Sequence, residues 1–266
     1  MRTLAPTTIC ECNLTKAWGR AFQHAFASPH DAGPMTVSFG LSAAGEPQED
    51  PAVRLAVDQA LKAQRKAKVS VQENAAMLFP LRTWQCCQSQ GRAAFYEHYR
   101  TQVFPRIKAR MKGKCYGTYF ERMIQYDDGV NQLEHIIEFW ERCRKKNRRP
   151  RPSALLAACF DPHRDHTFEP LRGFPCLQQV SFSYDCVGKG LAISAFYPCQ
   201  YVFDRGYGNY LGLSHLGKFI ADALQLKLVR VNCFVAAPLL GDVTKASVSA
   251  VCSSVEKNLT ESTVAA

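Results

Sequence analysis

The sequence predicts a single domain of the α+β class. Its 266 residues are 47% hydrophobic and 21% charged, which is the balance of a globular chain that buries a core. In the first half, apolar residues recur mostly at helical spacing. The second half contains four short apolar runs, rich in β-branched and aromatic residues, which are typical of strands. Because we find neither an internal repeat nor a linker, we expect one sheet flanked by helices.

Apolar side chains three and four residues apart predict the helices. The clearest spans 133–143, where Leu133, Ile136 and Trp140 share one face. Asn13 can cap an earlier helix that extends to Phe26. The other predicted helices span 53–66, 73–79, 91–112 with a break at its proline, and 210–224.

The predicted strands are short and most of them lie late in the chain. They span 35–39, 154–160, 177–184, 191–197 and 228–235. We assign residues 1–244 to the domain. The tail, 245–266, is rich in Ser, Thr and Val, and we expect it to be partly disordered.

The net charge indicates the class of binding partner, and the cysteine content indicates the cellular compartment. The chain has 33 Lys and Arg against 23 Asp and Glu, a net charge of +10, which favours phosphorylated or polyanionic partners. Many of these cations crowd into 142–151. Twelve cysteines without a signal-peptide pattern indicate reduced thiols in the cytoplasm. No apolar run approaches the ~20 residues of a membrane span, so we expect no membrane partner. No cysteine spacing matches a zinc site, so we expect no metal site.

Six short motifs lie between residues 15 and 240. They are Met35-Thr-Val-Ser-Phe-Gly40, Tyr116-Gly117 with Arg122, Asn131-Gln132, Arg149-Pro-Arg151-Pro-Ser153, Gly173-Phe-Pro-Cys176 and Asn209. In this order they resemble the motifs of the thymidylate synthase superfamily, in which a Pro-Cys entering a strand carries the nucleophile. The resemblance implies a thymidylate synthase-like domain with a mixed, curved sheet that works as a homodimer.

Cys176 is the predicted nucleophile. Carbon C5 of a pyrimidine is a poor nucleophile, but addition of a thiolate to C6 turns the ring into an enolate that can attack a one-carbon electrophile. A thiolate near neutral pH needs cationic neighbours. Arg149 and Arg151 are candidates, which the resemblance implies reach across from the partner subunit to grip phosphate, and Arg172 is a local alternative. The competing interpretation is an ordinary buried cysteine.

Four further side chains complete the predicted site. Asn209 can donate and accept at once, so it can read O4 and N3–H of a uracil edge, and it can also cap the helix before Tyr210. Tyr116 could orient a water or a proton near C5, or be a core aromatic. Glu73 is the only candidate for the general-base glutamate of the family. Ser181 stands where the family has a glutamine and is assigned to substrate binding.

The predicted function is transfer of a methyl or hydroxymethyl unit to C5 of a pyrimidine nucleotide, and the resemblance implies 5,10-methylenetetrahydrofolate as cofactor. One departure bears on the substrate, because Pro198 stands where the family has its main phosphate arginine and proline cannot replace a bidentate cation. Two alternatives stay open. One is the same fold used for another reaction through Cys176, and the other is a non-catalytic protein that binds a nucleotide or nucleic acid.

Overall fold

In the computed structural model, an open six-stranded sheet is flanked by helices, which confirms the α+β class. The structure describes residues 5–27, 32–64, 66, 68–111, 117–127, 129–169, 175–244 and 246–261. Within these residues, no helix combines the length and the apolar character that crossing a bilayer requires.

The sheet is mixed. Its strands are β1 (Thr7–Glu11), β2 (Met35–Gly40), β3 (Leu156–Ala158), β4 (Gln179–Asp185), β5 (Gly190–Tyr201) and β6 (Leu228–Leu239). They lie in the order β1-β2-β6-β5-β4-β3. The pairs β1–β2 and β5–β6 are parallel, and the other three are antiparallel. All five predicted strands are present, whereas β1 was not predicted, because only Ile9 of its five residues is buried.

Helices surround the core side of this sheet. They are α1 (Leu14–Ala27), α2 (Pro51–Lys62), α3 (Val71–Leu78), α4 (Leu81–Cys87), α5 (Gly91–His98), α6 (Phe104–Arg110), α7 (Tyr119–Ile124), α8 (Gln132–Lys145), α9 (Pro162–Asp165), α10 (Tyr207–Ala223) and α11 (Ser249–Glu261). A π-helical turn, Tyr99–Val103, joins α5 to α6, and a second one, Val202–Gly206, leads directly into α10. Asn209 therefore lies inside α10, and the prediction that it caps this helix is wrong.

The C-terminal segment forms a packed helix over α11, which the sequence analysis did not predict within a tail expected to be partly disordered. Val251, Val255 and Leu259 are buried, and α11 contacts α1 and α2. The Asn258 side chain donates to Asp50 Oδ2 at 2.8 Å. These apolar residues are spaced four apart, but the serines between them have weak helix propensity, which hid the pattern. Residues 262–266 lie outside the described chain.

The two faces of the sheet differ. On the core face, the rings of Phe39 and Tyr210 lie 5.9 Å apart, which places α10 against β2. On the other face, Ser38 Oγ donates to Asn232 Oδ1 at 2.8 Å, and Asn232 Nδ2 donates to Ser194 Oγ at 3.1 Å. Phe234 on this second face keeps 42% of its surface exposed. The second face is therefore open to solvent in the single chain.

A buried ion pair links α7 to α9. Arg122 and Asp165 are joined by two hydrogen bonds of 2.6 and 2.8 Å, and Arg122 Nη1 also donates to the carbonyl of Cys159 at 2.9 Å. Burial alone would raise the pKa of Asp165, but hydrogen bonds from Arg122 and from the Asp161 N–H hold it below its ordinary value. Asp165 is thus a structural counter-ion, and the described residues contain no cluster suited to a metal.

We predict that Asp165→Asn lowers the free energy of unfolding by about 3–5 kcal/mol at pH 7, because it leaves a buried guanidinium without its carboxylate. The control is Glu97→Gln, which breaks the exposed ion pair with Arg100 and should cost less than about 1 kcal/mol. Urea unfolding measures both variants. The folded-state pKa of Asp165 is lowered, so its contribution is present above the unfolded value near 3.8 and is lost as the pH falls through the folded value. Equal losses in the two variants would contradict the prediction.

Candidate functional site

A cavity of about 400 Å³ lies beside the entrance to β4. Its walls come from α3, α7, the end of β5, the π-helical turn at 202–206 and the first residues of α10. This volume falls within the range of small-molecule sites, roughly 300–1,000 Å³. The lining residues are Asn74, Met77, Met111, Gly117, Thr118, Tyr119, Arg122, Pro175, Cys176, Gln200, Tyr201, Asp204, Arg205 and Asn209.

Cys176 lies in the wall of this cavity and is half-buried. Its backbone is held from both sides. The Gln178 side chain donates to the carbonyl of Pro175 at 2.7 Å, and the Gln178 N–H donates to the carbonyl of Phe196 on β5 at 3.0 Å. The thiol is therefore presented by a segment that is anchored to the sheet, as the Pro-Cys motif predicts.

Opposing effects act on the Cys176 thiol. Burial raises its pKa above the ordinary value, and the positive charge of Arg205 and a hydrogen bond with Tyr119 offset part of that increase. Arg205 comes from the π-helical turn and Tyr119 from the first residue of α7. Among the described residues, the thiol thus has one cation and one hydroxyl placed to favour its ionised form.

Tyr119 is the tyrosine that the structure places at this thiol. Burial raises its pKa, and the neighbouring Cys176 raises it further, so Tyr119 stays protonated at neutral pH and can donate a hydrogen bond. Thr118 starts α7 by accepting from the Glu121 N–H at 2.9 Å, which fixes the residue that follows it. Tyr116, which the sequence predicted for this role, lies outside the described residues, as does Arg172.

Asn74, and not Glu73, faces the cavity from α3. Glu73 is exposed and forms a capping box, in which the Ser70 N–H donates to Glu73 Oε2 at 2.8 Å. The position therefore does not suit the predicted general base. Asn74 is 4% exposed and lies one helical turn after buried Val71, which is the signal that could have identified it.

Arg205 was also missed. Its Nη1 donates to Asn74 Oδ1, and its guanidinium is the cation that acts on Cys176. Pro198, at the expected arginine position, is exposed and is not among the lining residues. Arg205 lies on the π-helical turn between β5 and α10, a stretch for which the sequence predicts neither a strand nor a helix.

Asn209 lies in the cavity wall together with Cys176. It is 4% exposed, and no described group forms a hydrogen bond with its carboxamide, which is therefore free to pair with a ligand. Two neighbours also have unused polar atoms, Gln200 Nε2 and Asp204 Oδ1. The other carboxylate oxygen of Asp204 contacts Lys68 Nζ at 3.0 Å.

The remaining predicted residues lie elsewhere in this chain. Arg149 is exposed and stacks over the Tyr184 ring, 5.9 Å from its centroid. Arg151 is exposed as well. Ser181 pairs with Leu156 and Ser194 in the middle of β4 and does not line the cavity. None of the three meets Cys176 within one copy of the chain.

No protein-family model matches this chain, and no curated protein matches it significantly. The chemistry of the site therefore has to be argued from the side chains that the cavity brings together.

We predict that Arg205→Gln and Tyr119→Phe each shift the alkylation of Cys176 by iodoacetamide to higher pH, because each removes a group that favours the thiolate. The shift should be about one pH unit for Arg205→Gln, the lower end for a nearby opposite charge. Peptide-resolved mass spectrometry separates Cys176 from the other cysteines. Arg20→Gln, at an exposed arginine of α1 outside the cavity lining, is the control and should leave the profile unchanged. Identical profiles for Arg205→Gln and Arg20→Gln would contradict the assignment.

Proposed function

We propose that this chain is a divergent thymidylate synthase-like C1 transferase that adds a methyl or hydroxymethyl unit to C5 of a pyrimidine nucleotide. The supporting observation is that Cys176, Arg205 and the unpartnered carboxamide of Asn209 line one cavity. A thiol with a neighbouring cation suits nucleophilic addition, and a carboxamide with both groups free suits the edge of a pyrimidine.

In the proposed mechanism, the Cys176 thiolate forms a bond to C6 and the C5–C6 electron pair moves onto the O4 carbonyl. Arg205 favours the thiolate before the attack, and Asn209 pairs with O4 and N3–H as the negative charge develops on O4. The resulting enolate uses C5 as the nucleophile towards the one-carbon unit. Loss of the C5 proton to water leaves an electron pair that expels the carrier of the one-carbon unit and forms an exocyclic methylene at C5. Addition of water to this methylene would give the hydroxymethyl product, whereas the methyl product needs a hydride, which the reduced folate would supply when bound. Either addition restores the enolate, which expels the Cys176 thiolate as the C5–C6 double bond forms again.

Arg205 is also the proposed phosphate ligand. Its side chain is exposed at the cavity wall, and no described carboxylate forms an ion pair with it. A guanidinium without a carboxylate partner can bind phosphate oxygens through two parallel hydrogen bonds. This assignment replaces the arginine that the family would have at the position of Pro198.

The proposed cofactor, 5,10-methylenetetrahydrofolate, fits the donors and acceptors of the same cavity. The unpartnered Asp204 Oδ1 is an acceptor that suits the N–H groups of a pterin, and Met77 and Tyr201 offer apolar surface nearby. Asp204 would hold the pterin. When bound, the folate would supply the one-carbon unit.

A non-catalytic nucleotide- or nucleic acid-binding protein is the second candidate. Two observations favour it. The buried position on α3 that faces the cavity carries the carboxamide of Asn74, which cannot act as a general base. In addition, the exposed cations of 142–151 form no ion pair among the described residues; they are Arg142, Arg144, Lys145, Lys146, Arg148, Arg149 and Arg151.

A homodimer paired through the open face of the sheet is the proposed assembly. Phe234 and Leu156 on that face are 42% and 39% exposed, and an exposed apolar sheet face favours association. Arg149 and Arg151 lie outside the cavity of their own chain. Their proposed role at the substrate phosphate therefore requires a second copy of the chain.

We predict that Cys176→Ser abolishes the release of tritium from C5 of a pyrimidine nucleotide, with a loss of at least about 10³-fold, because a hydroxyl is a far weaker nucleophile than a thiolate. The assay needs no folate. Cys199→Ser, at a half-buried cysteine outside the cavity lining, is the control and should retain exchange. Equal exchange by wild type and Cys176→Ser would contradict the nucleophile. Nucleotide binding by wild type without any exchange would favour the non-catalytic candidate.

We predict that Phe234→Lys converts the dimer into a monomer, because it places a charge in the middle of the proposed interface. Analytical ultracentrifugation at micromolar concentration measures the change. The control is Val187→Lys, at an 89% exposed position on the turn between β4 and β5, which should remain dimeric. A monomeric wild-type protein would contradict the assembly and the partner role of Arg149 and Arg151.

A further inference from the structure

The Asn74 carboxamide uses both of its polar groups to join α3 to the π-helical turn at 202–206. Its Nδ2 donates to the backbone carbonyl of Asp204 at 3.0 Å, and its Oδ1 accepts from Arg205 Nη1. One side chain therefore holds the backbone of the turn and the guanidinium that the turn carries.

The close packing of α3 against α10 holds Asn74 in this position. A Cβ at Gly208 would lie 2.4 Å from Asn74 Cβ, and a Cβ at Gly212 would lie 2.8 Å from the carbonyl oxygen of Ala75. Only glycine permits an approach this close. Asn74 is 4% exposed, so its amide has little room to turn away from Arg205.

We propose that Asn74 is a positioning residue, whose carboxamide holds the Arg205 guanidinium in the cavity wall beside Cys176. The inference deepens the proposed function, because it concerns the activation of the same thiol. It does not depend on any nucleotide or folate being bound.

A neutral acceptor suits this task better than a carboxylate does. Among the described residues, Arg205 has no ion-pair partner, and the nearby Asp204 carboxylate contacts Lys68 at 3.0 Å. The Asn74 oxygen therefore orients Arg205 without cancelling its charge. In contrast, Arg122 in the same cavity wall is neutralised by Asp165. Arg205 is thus the cation whose charge remains available to Cys176.

The other ionisable groups that the described residues place around Cys176 do not replace Arg205. Tyr119 contacts the thiol from α7 as a neutral hydroxyl. From β5, burial and the neighbouring Cys176 both raise the pKa of Cys199, so Cys199 is a neutral thiol near pH 7. Holding Arg205 in place therefore has a direct consequence for the ionisation of Cys176.

The test is the pH profile of Cys176 alkylation by iodoacetamide, measured by peptide-resolved mass spectrometry in the full chain without ligand. The variants are Asn74→Ala, Arg205→Ala, the double variant, and Asn74→Asp, which preserves shape but adds a negative charge. We expect each to raise the midpoint by about one pH unit. The double variant should shift no further than Arg205→Ala, because both changes remove one effect.

A matched control separates positioning from general loosening of α3. Glu73→Ala removes the capping box of the same helix without touching Arg205, and it should leave the Cys176 midpoint unchanged. Buried Cys233 reports folding in the same digest, because it is alkylated only when the chain opens. If Asn74→Ala fails to fold, the isosteric Asn74→Asp decides the question.

An unchanged midpoint in Asn74→Asp, or equal shifts in Glu73→Ala and Asn74→Ala, would overturn the positioning role. So would a double variant whose shift is the sum of the two single shifts. Because the readout uses no nucleotide, these outcomes are independent of the C5 exchange assay, and failure of one proposal leaves the other standing.

Discussion

The close contact between α3 and α10 is the constraint on which the cavity depends. Gly208 and Gly212 lie one turn apart on α10 and face the backbone of α3, where any side chain would clash. This contact brings Asn74 within hydrogen-bonding distance of the π-helical turn. The π-helical turn places Asp204 and Arg205 in the cavity wall. Larger residues at the two glycines would push the two helices apart and disrupt this wall of the cavity.

Two arginines line the same cavity, and they differ in the group that each one binds. Arg122 is 2% exposed and is bound to Asp165 through two hydrogen bonds. Asp165 therefore neutralises its charge, and the ion pair links α7 to α9. Arg205 is exposed and is bound to a neutral carboxamide. The difference is electrostatic, because a buried guanidinium requires a counter-ion, whereas one that reaches water can keep its charge for a thiol or a phosphate.

The proposed chemistry and the proposed assembly use opposite sides of the sheet. The core face carries the helices that build the cavity, and the open face carries the hydrogen-bonded chain of Ser38, Asn232 and Ser194. A partner could therefore cover the open face without blocking Cys176. This arrangement follows from strand geometry, since successive side chains of one strand point to opposite faces.

Spacing along the chain by itself predicted the α+β class, the helix α8 and the late strands, because apolar periodicity is a local property. The candidates Cys176 and Asn209 came from the resemblance of six short motifs to a known family. Sequence patterns could not show whether Glu73 or the adjacent Asn74 faces the cavity. They also did not identify Arg205 or the ion pair between Arg122 and Asp165. Those choices were made by the tertiary structure. The capping box holds Glu73 at the surface, the π-helical turn carries Arg205 to the cavity wall, and the packing of α3 against α10 brings Asn74 to Arg205. Contacts between residues far apart in sequence depend on the packed fold, which no local pattern encodes.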